Sequence, residues 1–439
     1  MAGHAIHALA TPYFQMTRTL DPFLLSVVIT APLSISILAS PALGRLCDNL
    51  SAPGKKRLMR SAGWLAGLSF AMLWLAPETW SDAVSLWYLA AVCCLYYLAA
   101  SVSNIALRSI TYSTSQNSAQ SLSVMAFAAF FERTAALFYF WLFPLAQLAM
   151  WGTLDTGIKG TGLLVGTLFI GLFTHIAAHF LPAGPTNTSA QAATATRNIQ
   201  LSADVNRALL ILLALIVIKL GFISAVTSLD FYLLVYFVEQ GDIGEGAFWK
   251  GVLSSSFALF SLLLIPAFLK ISMRVGALNT LVVIYSVSIA GSLAKWFIYA
   301  PGNQWWVVAD AALGAASFVA LTAIVPAMIN QLSLHHTHQC GEQAHGFFAA
   351  RQSQVTQASI VGALLLGGIL LNVLGFDANL GGAQSDETLQ AFRLVLAPGS
   401  AVLNILSLLL VLAYPRLSTG TLTQRQQQSK TIETPTCQQ

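Results

Sequence analysis

Residues 206–238 read NRALLILLALIVIKLGFISAVTSLDFYLLVYFV, and this stretch decides the fold class. A helix needs about 20 mostly apolar residues to cross a bilayer. The stretch exceeds that length, and beyond its first turn only Lys219 and Asp230 are charged. Ten more runs of this kind lie near 22–42, 61–79, 84–110, 119–150, 160–182, 248–270, 276–299, 305–332, 346–373 and 390–414. Because the runs are continuously apolar, they predict helices rather than the alternating strands of a membrane barrel.

Composition points the same way as the apolar runs. The 439 residues include 21 basic and 17 acidic side chains, which is 9% of the chain, and 56% of the residues are hydrophobic. Soluble domains carry about 25% charged residues, so a disordered chain, a collagen-like chain and a soluble enzyme are excluded. The net charge of +4 is too small to indicate a nucleic-acid partner. The sequence therefore predicts an all-α polytopic membrane protein.

The charges between the runs alternate in sign from one loop to the next. Basic residues dominate one set of loops, which includes 45–60 and the segments near Arg197 and Lys270. Acidic residues dominate the other set, as at Asp155 and Glu239. By the positive-inside rule the basic loops are cytoplasmic. We expect an inner-membrane protein whose central linker, His-rich loop and C-terminus face the cytoplasm.

A polar, proline-containing linker divides the runs into two groups. Residues 183–205 contain no apolar run and separate an N-terminal bundle (1–182) from a C-terminal bundle (206–415), with a disordered tail at 416–439. The apolar stub at 2–14 is too short to span and would be a cut-down first helix. Pro-Ala followed by a basic turn occurs in both halves, ending at Arg45 and at Lys270. Two six-helix halves with about eleven full spans are typical of secondary transporters.

Several motifs carry a resemblance to a known family. Gly44, Asp48 and the run Gly54-Lys55-Lys56-Arg57 resemble the cytoplasmic gate motif of the major facilitator superfamily. The segments 341–348, 375–379 and 384–389, with Arg393 and Tyr414-Pro415, are similar in order and spacing to the glycoside–pentoside–hexuronide:cation symporters, the melibiose permease group. Asp230-Phe231-Tyr232 resembles the seventh helix of that group. The resemblance implies twelve helices, a central sugar site and cation-driven alternating access.

The chain departs from the family at the cation site. The positions of the family's two aspartates on helix II match Ser36 and Ser40, its helix IV aspartate matches Asn104, and its helix XI lysine matches Gln357. A sodium or proton site at the membrane centre needs an anionic carboxylate, and these four residues supply only neutral groups. We therefore expect sodium not to drive transport by the family's route, and a proton-coupled or an uncoupled transporter both stay open.

The remaining ionisable residues inside the runs are candidates for coupling. Lys219 and Asp230 lie on one face of a helix about 16 Å apart, so they cannot pair directly. Glu132 and Arg133 are adjacent, so at most one of them faces a cavity fully. We take Asp230, Glu132 and Lys219 as coupling candidates. Structural roles are equally open, namely a hydrogen-bonded Asp230 and an interhelical pair at Glu132 or Arg133.

A second set of residues is expected to contact the solute. Arg108 shares a helix face with Asn104 one turn earlier, and a guanidinium there would favour an anionic group such as a carboxylate. The predicted solute-binding residues are Asn104, Arg108, Arg133, Phe318 and Gln357. The alternatives are a snorkelling Arg108 and a Phe318 that only packs. Four more charges near helix ends are expected to be interfacial: Lys295, Asp310, Arg351 and Arg393.

No pattern indicates a metal, a cofactor or catalysis. His335, His336, His338 and Cys340 resemble a metal cluster only in composition, and an ordinary polar loop is the favoured interpretation. The sequence has no nucleophile–base arrangement or phosphate-binding loop. The expected function is transport of a small polar organic solute, sugar-like or sugar-acid-like, by a monomer in the bilayer. Rival hypotheses are transport of another anionic solute, and a non-transporting sensor or assembly factor on a transporter fold.

Overall fold

The computed structural model describes residues 22–77, 79–114, 118–140, 146, 149–181, 201–340, 344–376 and 384–415. Within these residues the structure is helical and contains no strand. The stub at 2–14, most of the linker and the C-terminal tail lie outside the described residues. The predictions made for those segments therefore stay predictions.

Each of the eleven apolar runs overlaps a helix of the described residues. The helices are α1 (Pro22–Asn49), α2 (Ala52–Met72), α3 (Asp82–Thr114), α4 (Ser118–Phe140), α5 (Asp155–Phe180), α6 (Ala203–Val238), α7 (Ile243–Val275), α8 (Ala277–Ile298), α9 (Gln304–Thr337), α10 (His345–Val373) and α11 (Asp386–Leu412). In the described part of the chain, nine helices are long and apolar enough to cross a membrane. The other two are α2, whose first turns are basic, and α4. The protein is thus an all-α polytopic membrane protein, as predicted.

Local sequence explains several helix ends. Asp242 accepts a hydrogen bond from the backbone N–H of Glu245 and begins α7, and Ser385 accepts one from Thr388 and begins α11. Gly276 has φ 88° and separates α7 from α8. A residue with a side chain is strained in that conformation, so glycine is the favoured residue at this sharp turn.

Wider π-helical turns interrupt four of the helices. They occupy Val165–Leu172 in α5, Val217–Ile223 and Leu233–Val238 in α6, Ala320–Ile324 in α9, and Val395–Gly399 in α11. Such turns are uncommon and occur frequently at functional sites. The segment Val217–Ile223 includes Lys219, so the charged residue in the middle of α6 lies on irregular backbone.

Two compact units make up the chain. Unit 1 comprises residues 1–115, 127–195 and 345–364, and unit 2 comprises 116–126, 196–344 and 365–439. Unit 1 has a core in which the rings of Phe70, Trp74 and Tyr96 pack together. In the same unit Gly67 and Gly166 let α2 and α5 touch through their backbones, because a Cβ on Gly67 would lie 2.2 Å from the carbonyl oxygen of Gly166. The core of unit 2 includes Leu229, Leu233 and Phe392.

Candidate functional site

Two of the four positions that match the family's cation site, Ser36 and Gln357, form part of a neutral hydrogen-bonded ring in unit 1. The Oγ atoms of Ser36 on α1 and Ser101 on α3 are 2.5 Å apart. The Ser36 hydroxyl donates to Oε1 of Gln357 on α10 at 3.0 Å, and Nε2 of Gln357 donates to the Ser101 hydroxyl at 2.9 Å. With Ser101 donating to Ser36, every donor in the ring has an acceptor. The second amide hydrogen of Gln357 goes to Ser353, 3.0 Å away.

The ring is closed without any charged group. Ser36 is fully buried and Ser101 is 3% exposed, so an unsatisfied hydroxyl there would be costly. Gln357 provides both the donor and the acceptor that two serine hydroxyls need. We call Ser36, Ser101 and Gln357 the neutral ring. It holds α1, α3 and α10 together through side chains that do not titrate.

Sequence matching identified two members of this ring and missed the third. Ser101 lies one turn before Asn104 on α3, and it, not Asn104, joins Ser36 and Gln357. Asn104 is exposed. Ser40 is buried, and its hydroxyl donates to the backbone oxygen of Ser36 at 2.9 Å, which is a bond within α1. The helical spacing of Ser101 and Asn104 was the available signal, because residues three apart share a face.

A second polar link between α3 and α10 lies closer to the start of α10. The Tyr112 hydroxyl donates to Oε1 of Gln352, and both residues are buried. Arg108, one turn earlier on α3, hydrogen-bonds to Tyr112. Arg108 is partly buried, and a guanidinium has five N–H donors, so it can still bind an anionic oxygen. This arrangement gives Arg108 a fixed partner within its own helix.

The predicted gate motif fastens the end of α1 to the beginning of α10. The Asp48 carboxylate accepts hydrogen bonds from the backbone N–H groups of Gly346, at 2.5 Å, and Phe347, at 2.8 Å. These N–H groups have no partner within the helix, and a carboxylate also complements the positive end of the helix dipole. A Cβ on Gly44 would lie 2.7 Å from the Gly346 carbonyl oxygen, so glycine at this position permits the contact.

The basic residues of the motif are held by α3 and by the end of α5. Lys55 is 5% exposed and donates to the Ser109 hydroxyl at 3.1 Å, and Lys56 donates to the carbonyl oxygen of Leu181. Burial lowers the pKa of Lys55, and the nearby Asp48 carboxylate partly offsets this effect. Arg57 is exposed. The motif predicted from sequence is therefore a connected structure at one end of α1, α2, α3 and α10.

Unit 2 contains charged pairs where unit 1 has a neutral ring. Asp230 on α6 pairs with Lys250 on α7 at 2.5 Å. Asp310 on α9 pairs with Lys295 on α8 at 2.6 Å and accepts a hydrogen bond from Tyr299 at 3.0 Å. The Asp310 and Lys295 side chains are 4% and 11% exposed. These two residues form a buried ion pair, and their depth in the membrane stays a prediction.

The structure describes two more of the predicted site residues, Phe318 and Glu132. In unit 2, Phe318 packs edge-on against Phe257, with ring centroids 6.2 Å apart. Glu132 is exposed on α4, and the side chain of Arg133 lies outside the described residues. No group of three or more His, Cys, Asp or Glu residues in the described ranges is arranged to hold a metal ion. The site roles assigned to these residues stay predictions.

Comparison with known proteins identifies the class and then the family. The fold is similar to that of a bacterial homologue of the iron transporter ferroportin in its outward-facing state, with a TM-score of 0.65, 12% identity and 94% and 96% of the two chains covered. It is also similar to the fucose:proton symporter of E. coli, with a TM-score of 0.59, 13% identity and coverage of 94% and 95%. A third similar structure is the human organic anion transporter MFSD10, with a TM-score of 0.59, 13% identity and coverage of 92% and 88%.

These structures are transporters of the major facilitator fold. Residues 1–416 match the family described as "MFS/sugar transport protein", and the chain belongs to that family. This is the family of melibiose-type symporters, which confirms the resemblance found in the sequence. A comparison with curated protein sequences gives no significant match. The protein is therefore a multi-pass membrane protein and a secondary transporter, not an enzyme, and works by alternating access.

Proposed function

We propose that the protein transports a small polar organic solute, sugar-like or sugar-acid-like, without using the sodium site of its family. The observation that carries the proposal is the neutral ring. Bound sodium is a hard cation that needs several oxygen ligands and a compensating negative charge. Ser36, Ser101 and Gln357 already satisfy one another, and none of them can become anionic at physiological pH.

The polar residues of α3 and α10 support a hydroxylated solute. Gln357 hydrogen-bonds to Ser353 within α10, and Tyr112 of α3 hydrogen-bonds to Gln352 of α10. Sugars present hydroxyl groups that both donate and accept, and amides and hydroxyls are matched to such groups. Binding a solute here would exchange contacts within the protein for contacts with the solute, which is the way a ligand shifts a conformational equilibrium.

Arg108 favours a solute with an anionic group. Its bond to Tyr112 fixes the guanidinium, and the remaining donors suit a planar carboxylate. A lysine at this position would keep the charge and lose the bidentate geometry. The proposal therefore extends to sugar acids, with Arg108 as the group that distinguishes them from neutral sugars.

The test is uptake by proteoliposomes of labelled D-galactose and D-glucuronate, with sodium or choline as the only external cation. We expect equal rates with the two cations, and an increase in KM for D-glucuronate of about tenfold in Arg108→Lys, from the loss of one good charge-assisted contact. Arg274→Lys, at an exposed position, is the matched control and should leave KM unchanged. Failure to transport either solute contradicts the proposed substrate class. Uptake that depends on sodium and on Ser36 contradicts the neutral-ring argument.

A further inference from the structure

Lys219 is a charged side chain whose role the neutral ring does not explain. It lies in the π-helical turn of α6, and its backbone oxygen accepts a hydrogen bond from the Ser224 hydroxyl at 3.1 Å. The described residues contain three ion pairs, and Lys219 takes part in none of them. It nevertheless lies within electrostatic reach of Lys295 and Asp310. An ammonium group without a partner is unfavourable inside a membrane.

The charges around Lys219 come from four helices. Helix α8 contributes Lys295, with Tyr299 just beyond its end, and α9 contributes Asp310. Helix α6 itself contributes Asp230, three turns further along, which is paired with Lys250 of α7.

Helix α11 packs against the π-helical turn and brings no charge in Ser400–Leu412. It brings Asn404, whose Nδ2 donates to Ser292 of α8 at 2.9 Å. The Oδ1 atom of Asn404 and the Oγ atom of Ser400 are buried and have no partner among the described residues. These oxygens can accept hydrogen bonds from an amine or from water.

When all of them are ionised, the charged residues close to Lys219 carry one more positive than negative charge. Close to Lys219, two lysines (Lys219 and Lys295) share one aspartate, Asp310. Asp230 is paired with Lys250, and Asp310 with Lys295 and Tyr299, so both carboxylates are already engaged. The group is electrically neutral only when Lys219 is an uncharged amine. When Lys219 is protonated, Asp310 must divide its charge between two lysines.

We propose that Lys219 is the proton-binding site of the transport cycle, with the Lys295–Asp310 pair as the counter-charge that it shares when protonated. The amine lone pair takes up one proton from water on one side of the membrane and becomes an ammonium. The ammonium returns that proton to water on the other side, and no other bond is made or broken. The proposal rests on the proposed transport function for its role in coupling, but not for the chemistry of the site.

The geometry favours Lys219 over the other two coupling candidates. Asp230 is already engaged in an ion pair with Lys250 at 2.5 Å. Glu132 is exposed on α4 and has no ion pair among the described residues. Lys219 combines a position in the middle of a spanning helix, irregular backbone and a nearby carboxylate, Asp310, that is engaged with another lysine.

The first test needs no solute, because NMR of ¹⁵N-lysine distinguishes an amine from an ammonium. The chain has eight lysines, so the side-chain signals can be assigned one by one. In nanodiscs we expect one lysine to be an uncharged amine at a pH at which the other lysines are ammonium groups, and to become an ammonium as the pH falls. This signal should be absent in Lys219→Met and unchanged in Lys270→Gln, a control at an exposed position. A spectrum in which every lysine is an ammonium throughout would overturn the proposal.

Lys295→Met provides a second variant that does not depend on replacing Lys219. Removing Lys295 frees Asp310, which should then pair with Lys219 and keep it an ammonium over the whole pH range. An uncharged Lys219 signal that persists in Lys295→Met would contradict the role of the shared carboxylate.

The second test measures coupling directly. Proteoliposomes that contain a pH-sensitive dye and receive external D-galactose or D-glucuronate should acidify inside as the solute enters. In Lys219→Met the solute should equilibrate without acidification. Equal acidification in both proteins would overturn the proposal. Absence of flux for both solutes counts against the proposed substrate class alone, because the lysine spectra decide the proton site.

Discussion

The neutral ring of unit 1 and the charged group of unit 2 solve the same physical problem in different ways. Both place polar side chains between helices that are long and apolar enough to span a membrane. In the ring, three neutral side chains hydrogen-bond to one another, and the result carries no charge. In unit 2, the ion pairs Asp230–Lys250 and Lys295–Asp310 leave Lys219 outside any ion pair. A satisfied network can hold helices together, whereas an unbalanced one can respond to protons.

The largest loss of thermal stability is expected from breaking the buried Lys295–Asp310 pair of unit 2. Asp310→Asn leaves Lys295 and Lys219 without a carboxylate, and removing one partner of a buried ion pair costs about 3–5 kcal/mol. Thermal unfolding in detergent should therefore show a large fall in Tm. The double variant Asp310→Asn, Lys295→Met should recover much of this loss, because no uncompensated pair member remains. Equal Tm values for the single and double variants would contradict the account of this pair.

The next largest destabilisation is expected from disrupting the contact between α1 and α10. A Cβ on Gly346 would lie 2.4 Å from the Gly44 carbonyl oxygen and 2.8 Å from Oδ1 of Asp48. Gly346→Ala should force these helices apart at a cost of about 1–3 kcal/mol. Cys47 is 1% exposed beside this contact, so its labelling by N-ethylmaleimide should accelerate.

Gly362 supplies the matched control for Gly346→Ala on the same helix. A Cβ added at Gly362 would meet no atom within 4 Å, so Gly362→Ala should leave Cys47 labelling unchanged. Peptide mapping by mass spectrometry separates Cys47 from the other cysteines. Unchanged labelling in Gly346→Ala would show that Gly44 and Gly346 do not govern access at this contact.

A smaller fall in Tm is expected from opening the neutral ring. Gln357→Leu removes the donor and the acceptor that close the ring, and it leaves buried Ser36 and Ser101 with fewer partners. Leaving buried hydroxyls unsatisfied costs about 1–3 kcal/mol. Gln354→Leu, one turn earlier and bonded only to Arg351 in the described residues, is the control. The Tm of Gln357→Leu should fall clearly more than that of the control, and an equal fall would mean that the ring contributes little.

The helices and the gate motif were predictable from sequence, whereas most of the pairings were not. Apolar length alone located the spanning helices, because the bilayer sets one requirement for all of them. The resemblance located Asp48, but not its partners Gly346 and Phe347, which lie about 300 residues away. The pairing of Asp230 on α6 with Lys250 on α7 was likewise not indicated by the sequence. Such contacts depend on how helices are arranged in space, and periodicity within one helix carries no information about that.

The neutral ring can be tested most directly by asking whether sodium binds at all. Purified protein is heated in sodium chloride or in choline chloride over the same range of concentration, and Tm is followed. The account predicts equal Tm values for the wild type, and a sodium-dependent rise in Ser36→Asp, which restores a carboxylate to the ring. A saturable rise of Tm with sodium in the wild type, lost in Ser36→Ala, would contradict the central claim that this transporter lacks its family's cation site.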